Sequence, residues 1–214
     1  MISVKAPKNA QLLYFPMIDC TVAAGYKNAK YRKAYEYVHY GVDFDSKRAV
    51  DFDVVASGFG TVIGVEKNNN SIGYVVIIRY DKAYNPTTKK MQTLILRYYH
   101  LFDCFVEEGE DVKPYQKIGV VSGSHKWWNH VHLEIDKDYL NPCYTPQVAE
   151  ASSKLLVRKG ATDKTMLNPM DVLVIGKKQT ARVHSLAVYA DKNKDAPKYT
   201  EVQDRWTYTL LQTP

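Results

Sequence analysis

The chain has 214 residues, 45% of them hydrophobic, which is enough for one folded domain with extensions and excludes wholesale disorder. Lysine and arginine number 29 against 23 aspartates and glutamates, a formal net charge of +6 that suits anionic partners without choosing among nucleic acid, membrane surface and wall teichoic acids. Three widely spaced cysteines, Cys20, Cys104 and Cys143, argue against a disulfide framework and against a cysteine-based metal site.

Residues 1–53 mix short apolar pieces with tyrosine, lysine and glycine and show no sustained helical period. From Val54 to Asp136 the pattern is β. Segments starting at Val54, Gly60, Gly73 and Gln92 are rich in valine, isoleucine, threonine and tyrosine, and turn signals separate them. Residues 68–73 and 81–90 read as hairpin connections. Strands at 117–121 and 130–136 continue the series, so the expected fold class is all-β with an antiparallel sheet core. After Pro142 the β pattern lapses, and residues 147–159 read as a short helix. An apolar stretch follows Asn168-Pro169, and weak strands are expected at 186–189 and 206–211 in a polar tail.

No apolar run approaches the ~20 residues of a membrane span. Residues 1–16 lack the long apolar core and cleavage site of a secretory signal. Basic residues are scattered and no nucleic-acid motif occurs, so nucleic acid is not an expected partner. The 17 tyrosines fit either half-buried strand positions or a wet binding groove.

Three small motifs carry chemistry. In His39-Tyr40-Gly41-Val42-Asp43, an imidazole and a carboxylate four residues apart share a face in either helix or strand, and both are sound zinc ligands. Gly41 and β-branched Val42 disfavour the helix. In the strand 130–135, His130, His132 and Glu134 alternate with Val131, Leu133 and Ile135, which sets two imidazoles on the polar face. The third motif is Tyr98-Tyr99-His100-Leu101, a histidine at an apolar strand end. Any one of them is weak alone: an HxxxD pair recurs by chance, and a lone strand histidine is more often a satisfied core or surface residue.

In this order, with glycine-punctuated strands between them, the motifs resemble the lysostaphin/LytM-type zinc endopeptidases over roughly residues 14–173. Val55-Ala56, Gly60-Thr61-Val62 and Gly73-Tyr74-Val75 match that family's framework, as do Val106, Gly109, Val112, Gln116, Ile118, Gly119 and Asn168-Pro169-Met170. The resemblance implies a zinc endopeptidase domain at 1–175 that cuts peptidoglycan stem peptides or cross-bridges, with an extension at 176–214 of unassigned role. It implies zinc on His39, Asp43 and His132, a fourth position open to water, and proton transfer by His100 and His130, in roles left open. Trp127, Trp128, Tyr98 and Asn129 are the expected substrate contacts. Glu134 reads as a second-sphere acceptor for an imidazole or as a solvated or salt-bridged glutamate. Arg32, Lys33 and nearby tyrosines read as surface residues, and His125 and His184 as non-ligands. Departures at Tyr115, where the family has glycine, at Asn129 and across 124–129 bear on substrate preference. The implied place of action is the cell wall, reached by secretion or phage delivery, with peptidoglycan and anionic wall polymers as partners. The alternative is a non-catalytic wall-binding or virion structural protein on the same fold.

Overall fold

A computed structural model describes residues 4–46, 51–67, 72–122, 130–146, 148 and 153–183. The main sheet is built from β1 (Asp19–Ala24), β2 (Val42–Asp45), β4 (Gly60–Glu66), β5 (Tyr74–Asn85), β6 (Lys90–Leu101), β8 (Asp111–Val112), β10 (His130–Asp136), β11 (Met166–Leu167) and β12 (Thr180–Val183). Its order is β12-β1-β2-β10-β6-β5-β4-β8, with β11 added on β10. All these pairings are antiparallel except β12 on β1. A smaller sheet sets β9 (Lys117–Ser122) between β3 (Asp51–Val55) and β7 (Asp103–Cys104). The all-β, antiparallel expectation holds.

The period of two decides the layers. Val131, Leu133 and Ile135 of β10, Leu94, Leu96 and Tyr98 of β6, and Val76, Ile78 and Tyr80 of β5 enter the main core, fully buried. Each such aliphatic side chain contributes about 1.5–3 kcal/mol. The opposite face of the same strands carries Val75, Ile77, Ile95 and Tyr99 into a second cluster with Val148 and Leu156. Strands covered on both sides read as unbroken apolar runs, as 75–78 does. Further along that second face the residues turn polar, through Arg97 to His130, His132, Glu134 and Asp136.

Several local expectations are corrected. The segment 81–90 is not all connection: β5 runs on to Asn85 and β6 begins at Lys90. The Asn85 side chain accepts from the Thr87 and Thr88 amides at 3.0 Å each and tightens the turn to four residues. A register shift between Tyr80 and Ala83, with Lys82 at φ 55°, lets polar residues continue the strand. Residues 29–35, read as irregular, form a helix, α1 (Ala29–Tyr35). Two turns are too short for a periodic signal, but Asn28 caps it by accepting from the Tyr31 amide at 3.0 Å. The helix expected at 147–159 is absent from its described part, where Val157–Arg158 pairs with Tyr144–Thr145; residues 147 and 149–152 lie outside the described set. Past residue 175, β12 pairs with β1 at the edge of the main sheet. The tail strands expected at 186–189 and 206–211 lie outside the described residues.

Tyr115 occupies the left-handed region at φ 68°, the conformation that favours the glycine found there in the resembled family. Its ring stacks on Tyr14 at 5.1 Å, and its hydroxyl abuts Gly176, so this departure bears on packing rather than on substrate.

Candidate metal centre

Antiparallel register sets Asp43 on β2 directly opposite His132 on β10. His39 lies on the irregular segment entering β2, fully buried, with the Tyr31 ring stacked on it at 4.2 Å. Gly41 makes the approach possible: a Cβ there would fall 2.5 Å from Cε1 and Nε2 of His132. The HxxxD segment is therefore irregular and extended, as Gly41 and Val42 require.

Hydrogen bonding fixes the protonation pattern. The Gly25 carbonyl lies 2.7 Å from Nδ1 of His39 and can only accept, so Nδ1 carries a proton and Nε2 is the nitrogen turned to Asp43 and His132. That nitrogen is 3.0 Å from Asp43 Oδ1 and 3.0 Å from His132 Nδ1, and the last two atoms are 2.8 Å apart. An Nε2 proton given up to a metal would leave a lone pair, a carboxylate and a second imidazole facing one point. Nitrogen, nitrogen and carboxylate oxygen form the donor set zinc takes. Among the described residues these three form the one group with metal-ligand convergence, all ligand atoms lying within 4.8 Å of one another.

The electrostatics agree. Burial alone would raise the Asp43 carboxyl, but His39, His130 and His132 together hold it well below the usual carboxylate range. Burial alone would lower His132, yet its contacts with Asp43 and Glu134 push it up to about 9.

His100 ends β6 beside this group. Its ring centre lies 4.8 Å from that of His130 and 6.0 Å from that of His132. The Ile72 carbonyl accepts from the His100 amide at 3.1 Å and lies 2.9 Å from ring Nδ1, which leaves Nε2 bare. Burial, with His130 and His132 alongside, pushes His100 down to about 3, so it is neutral at physiological pH. Its backbone sits at φ 66°, an uncommon conformation for a non-glycine residue. Gly73 packs against it so closely that a Cβ would lie 2.8 Å from His100 Cα. His130 projects from β10 with Nε2 3.8 Å from Asp43 Oδ1. The structure thus brings His39, Asp43, His100, His130 and His132 to one place.

Residues 37–142 match peptidase family M23, a span holding all five of these side chains. The chain belongs to peptidase family M23. It is 34% identical over 131 residues to Stage II sporulation protein Q of Bacillus subtilis (strain 168), a match covering 58% of this chain. The chain spans 41% of the length of that relative. Among solved structures, a chain of the SpoIIQ–SpoIIIAH pore-forming complex superposes with a TM-score of 0.51 at 24% identity, covering 77% of this chain and 92% of that one. Lysostaphin from Staphylococcus simulans gives a TM-score of 0.45 at 19% identity, covering 70% of this chain and 47% of that one. With the M23 match and the antiparallel sheets, the expected lysostaphin/LytM-type family and all-β fold hold.

Other expected site residues fare differently. Tyr98 does not face substrate: it is fully buried, with its hydroxyl donating to Ser57 Oγ at 2.9 Å and lying 2.8 Å from the Tyr80 hydroxyl. Strand alternation sends it to the core and gives the histidine face to Tyr99, whose ring lies 5.3 Å from that of His132. Trp127, Trp128, Asn129, His125 and His184 lie outside the described residues. Arg32 and Lys33 are exposed, as expected, but they also join Lys27, Ala29, Val38 and Tyr40 around a cavity of about 540 Å³. Glu134 is buried rather than solvated, is salt-bridged to Arg97 at 3.1 Å and also faces His132. Sequence reasoning missed Tyr99 and Arg97. Polar residues on the alternate positions of an apolar strand were the available signal.

Proposed function

We propose that this M23 domain is a zinc-dependent endopeptidase acting on peptidoglycan peptides at the bacterial cell wall. The observation that carries the reading is the convergence of His39 Nε2, Asp43 and His132, with two further imidazoles beside them. His39, Asp43 and His132 would hold the zinc. Bound zinc supplies a Lewis acid that polarises the peptide carbonyl and makes water nucleophilic at neutral pH. His100, whose Nδ1 is engaged by the Ile72 carbonyl so that Nε2 is left to face the site, accepts the proton of the attacking water. His130, partly open to solvent at the mouth of the site, donates a hydrogen bond to the charge developing on the carbonyl oxygen, and the proton taken up by His100 passes on to the leaving amine. The cationic cavity of Lys27, Arg32 and Lys33 adjoins the HxxxD segment through Val38 and Tyr40 and suits anionic wall polymer or substrate carboxylates.

A second reading has its own support. The similarity to Stage II sporulation protein Q, and to a chain from a complex with SpoIIIAH, favours a module that binds a protein partner without cutting peptide. Similarity to named proteins weighs toward this reading, and the complete set of five side chains weighs toward hydrolysis. The deciding experiment incubates zinc-loaded protein with muropeptides carrying either glycine bridges or D-amino-acid cross-links, followed by mass analysis. New termini in either substrate, absent with chelator, support the endopeptidase. Stoichiometric zinc with no cleavage of either would transfer the case to the binding module.

A further inference from the structure

Behind His132 lies a buried charge cluster with no place in the proton transfers. Arg97, Glu134 and Asp136 are at most 2% exposed. Arg97 donates from Nη1 to Glu134 Oε2 at 3.1 Å, from Nη2 to Asp136 Oδ2 at 2.9 Å and from Nε to the Pro142 carbonyl at 2.8 Å. Glu134 Oε2 also accepts from the Tyr99 hydroxyl at 2.8 Å, and the Thr145 hydroxyl lies 3.1 Å from Oε1 and 3.2 Å from Oε2. Oε1 lies 3.8 Å from His132 Nε2, the ring nitrogen on the side away from Asp43.

We infer that Glu134 is a positioning residue for the metal: held by Arg97, Tyr99 and Thr145, it keeps the His132 proton on Nε2 and turns Nδ1 to the ion. The inference rests on the zinc reading above. Two observations support it. An imidazole that binds metal through Nδ1 must carry its proton on Nε2, and Glu134 is the carboxylate facing that atom. The 3.8 Å separation is about 1 Å beyond a hydrogen bond, a gap that a small turn of the ring closes. Charge gives the second. Among the described residues Asp43, Glu134 and Asp136 are buried with one guanidinium, so two negative charges remain once the histidines are neutral, as metal ligands must be, and a proton on His132 offsets one of them in the metal-free protein. Such an imbalance is strongly unfavourable alone and is removed by a divalent cation. The cluster therefore favours the ion by field as well as by orientation.

The test measures zinc affinity of the full chain by competition with a chromophoric chelator, alongside thermal unfolding of the metal-free form. Glu134→Gln keeps shape and removes the charge, and is expected to weaken zinc binding about 10–100-fold. Tyr99→Phe leaves every charge in place and removes one hydrogen bond to Glu134, so a smaller loss, about 3–10-fold, is expected, with the metal-free midpoint lowered only slightly by that lost bond. In zinc-loaded wild type the ¹⁵N spectrum of His132 should show a protonated Nε2. A purely structural Glu134 would lower the midpoint and leave the affinity of the folded protein alone. Glu134→Gln binding zinc within about twofold of wild type would overturn the inference and leave the endopeptidase reading intact. If that variant does not fold, Tyr99→Phe decides by the same criterion. Weakened zinc with no hydrolysis by wild type would uphold the positioning role and reject the endopeptidase. Wild type that takes up no zinc would overturn both.

Discussion

Substituting alanine for Gly41 probes how tightly the metal centre is assembled. The added Cβ would lie 2.5 Å from Cε1 and Nε2 of His132 and 2.6 Å from the Leu133 carbonyl oxygen. Ordinary contact begins near 3.4 Å, so the overlap is about 1 Å on three atoms at once. None of the three is the free end of a flexible side chain. Leu133 O belongs to a central strand, and the ring is held between Asp43 and Glu134. Relief must come from rotating the His132 ring, which carries Nδ1 away from His39 and Asp43. Overpacking of this kind destabilises by about 1–3 kcal/mol. A displaced ligand atom should weaken zinc at least tenfold, about 1.4 kcal/mol. Gly41 has no positive φ, so the effect is steric and not conformational. Gly160→Ala, where nothing lies within 4 Å of the new Cβ, is the control and should leave stability within about 0.5 kcal/mol. Chelator competition and urea unfolding measure both quantities. Gly41→Ala with wild-type zinc affinity and stability would refute the close-approach argument.

His100→Ala and His130→Ala should each retain one zinc per chain while turnover on muropeptides falls about 10²–10⁴-fold; zinc loss in either would mark it as a ligand. His132→Ala should lose most of the metal by elemental analysis, and unchanged content would defeat the ligand assignment. Stability of the metal-free protein should peak near pH 6.5. His132 is raised to about 9, so the stability it contributes is complete below 6.5 and fades as pH climbs to 9. His100 is lowered to about 3, so the folded state loses ground as pH falls from 6.5 toward 3. Each limb should amount to a few kcal/mol in urea titrations with chelator present, and zinc should abolish the alkaline limb; monotonic behaviour would contradict the assigned shifts. Tyr98→Phe should lower stability by about 1 kcal/mol through its lost bond to Ser57 and leave turnover unchanged; a large kinetic effect would return Tyr98 to the substrate.

The strands from Val54 to Asp136 were legible because period-two alternation and turn residues are local signals. The histidine face of β10 followed from the same rule. The placement of His39, Asp43, His100, His130 and His132 in one site came from the family pattern, since nothing local brings His39 to His132 across 93 residues. Tyr98 was misjudged because adjacency to His100 was read as proximity, whereas a strand sends successive side chains to opposite faces. The Arg97 cluster was not foreseen. A charged residue inside an apolar strand reads as solvent-facing until the elements covering it are known. Helix α1 escaped notice because seven residues show too little periodicity.

The separation of the ligands along the chain also sets the order of assembly. His39 and Asp43 are near neighbours, but Asp43 and His132 are 89 residues apart and meet only when β10 has docked against β2. Closing so long a loop is slow, and it precedes the contacts that reward it. A chain emerging from the ribosome therefore offers any metal only two of the three proposed donors until His132 has followed, too few for a tight site. Zinc capture then reports late folding, and a stopped-flow metal signal would time the docking of the central strand pair.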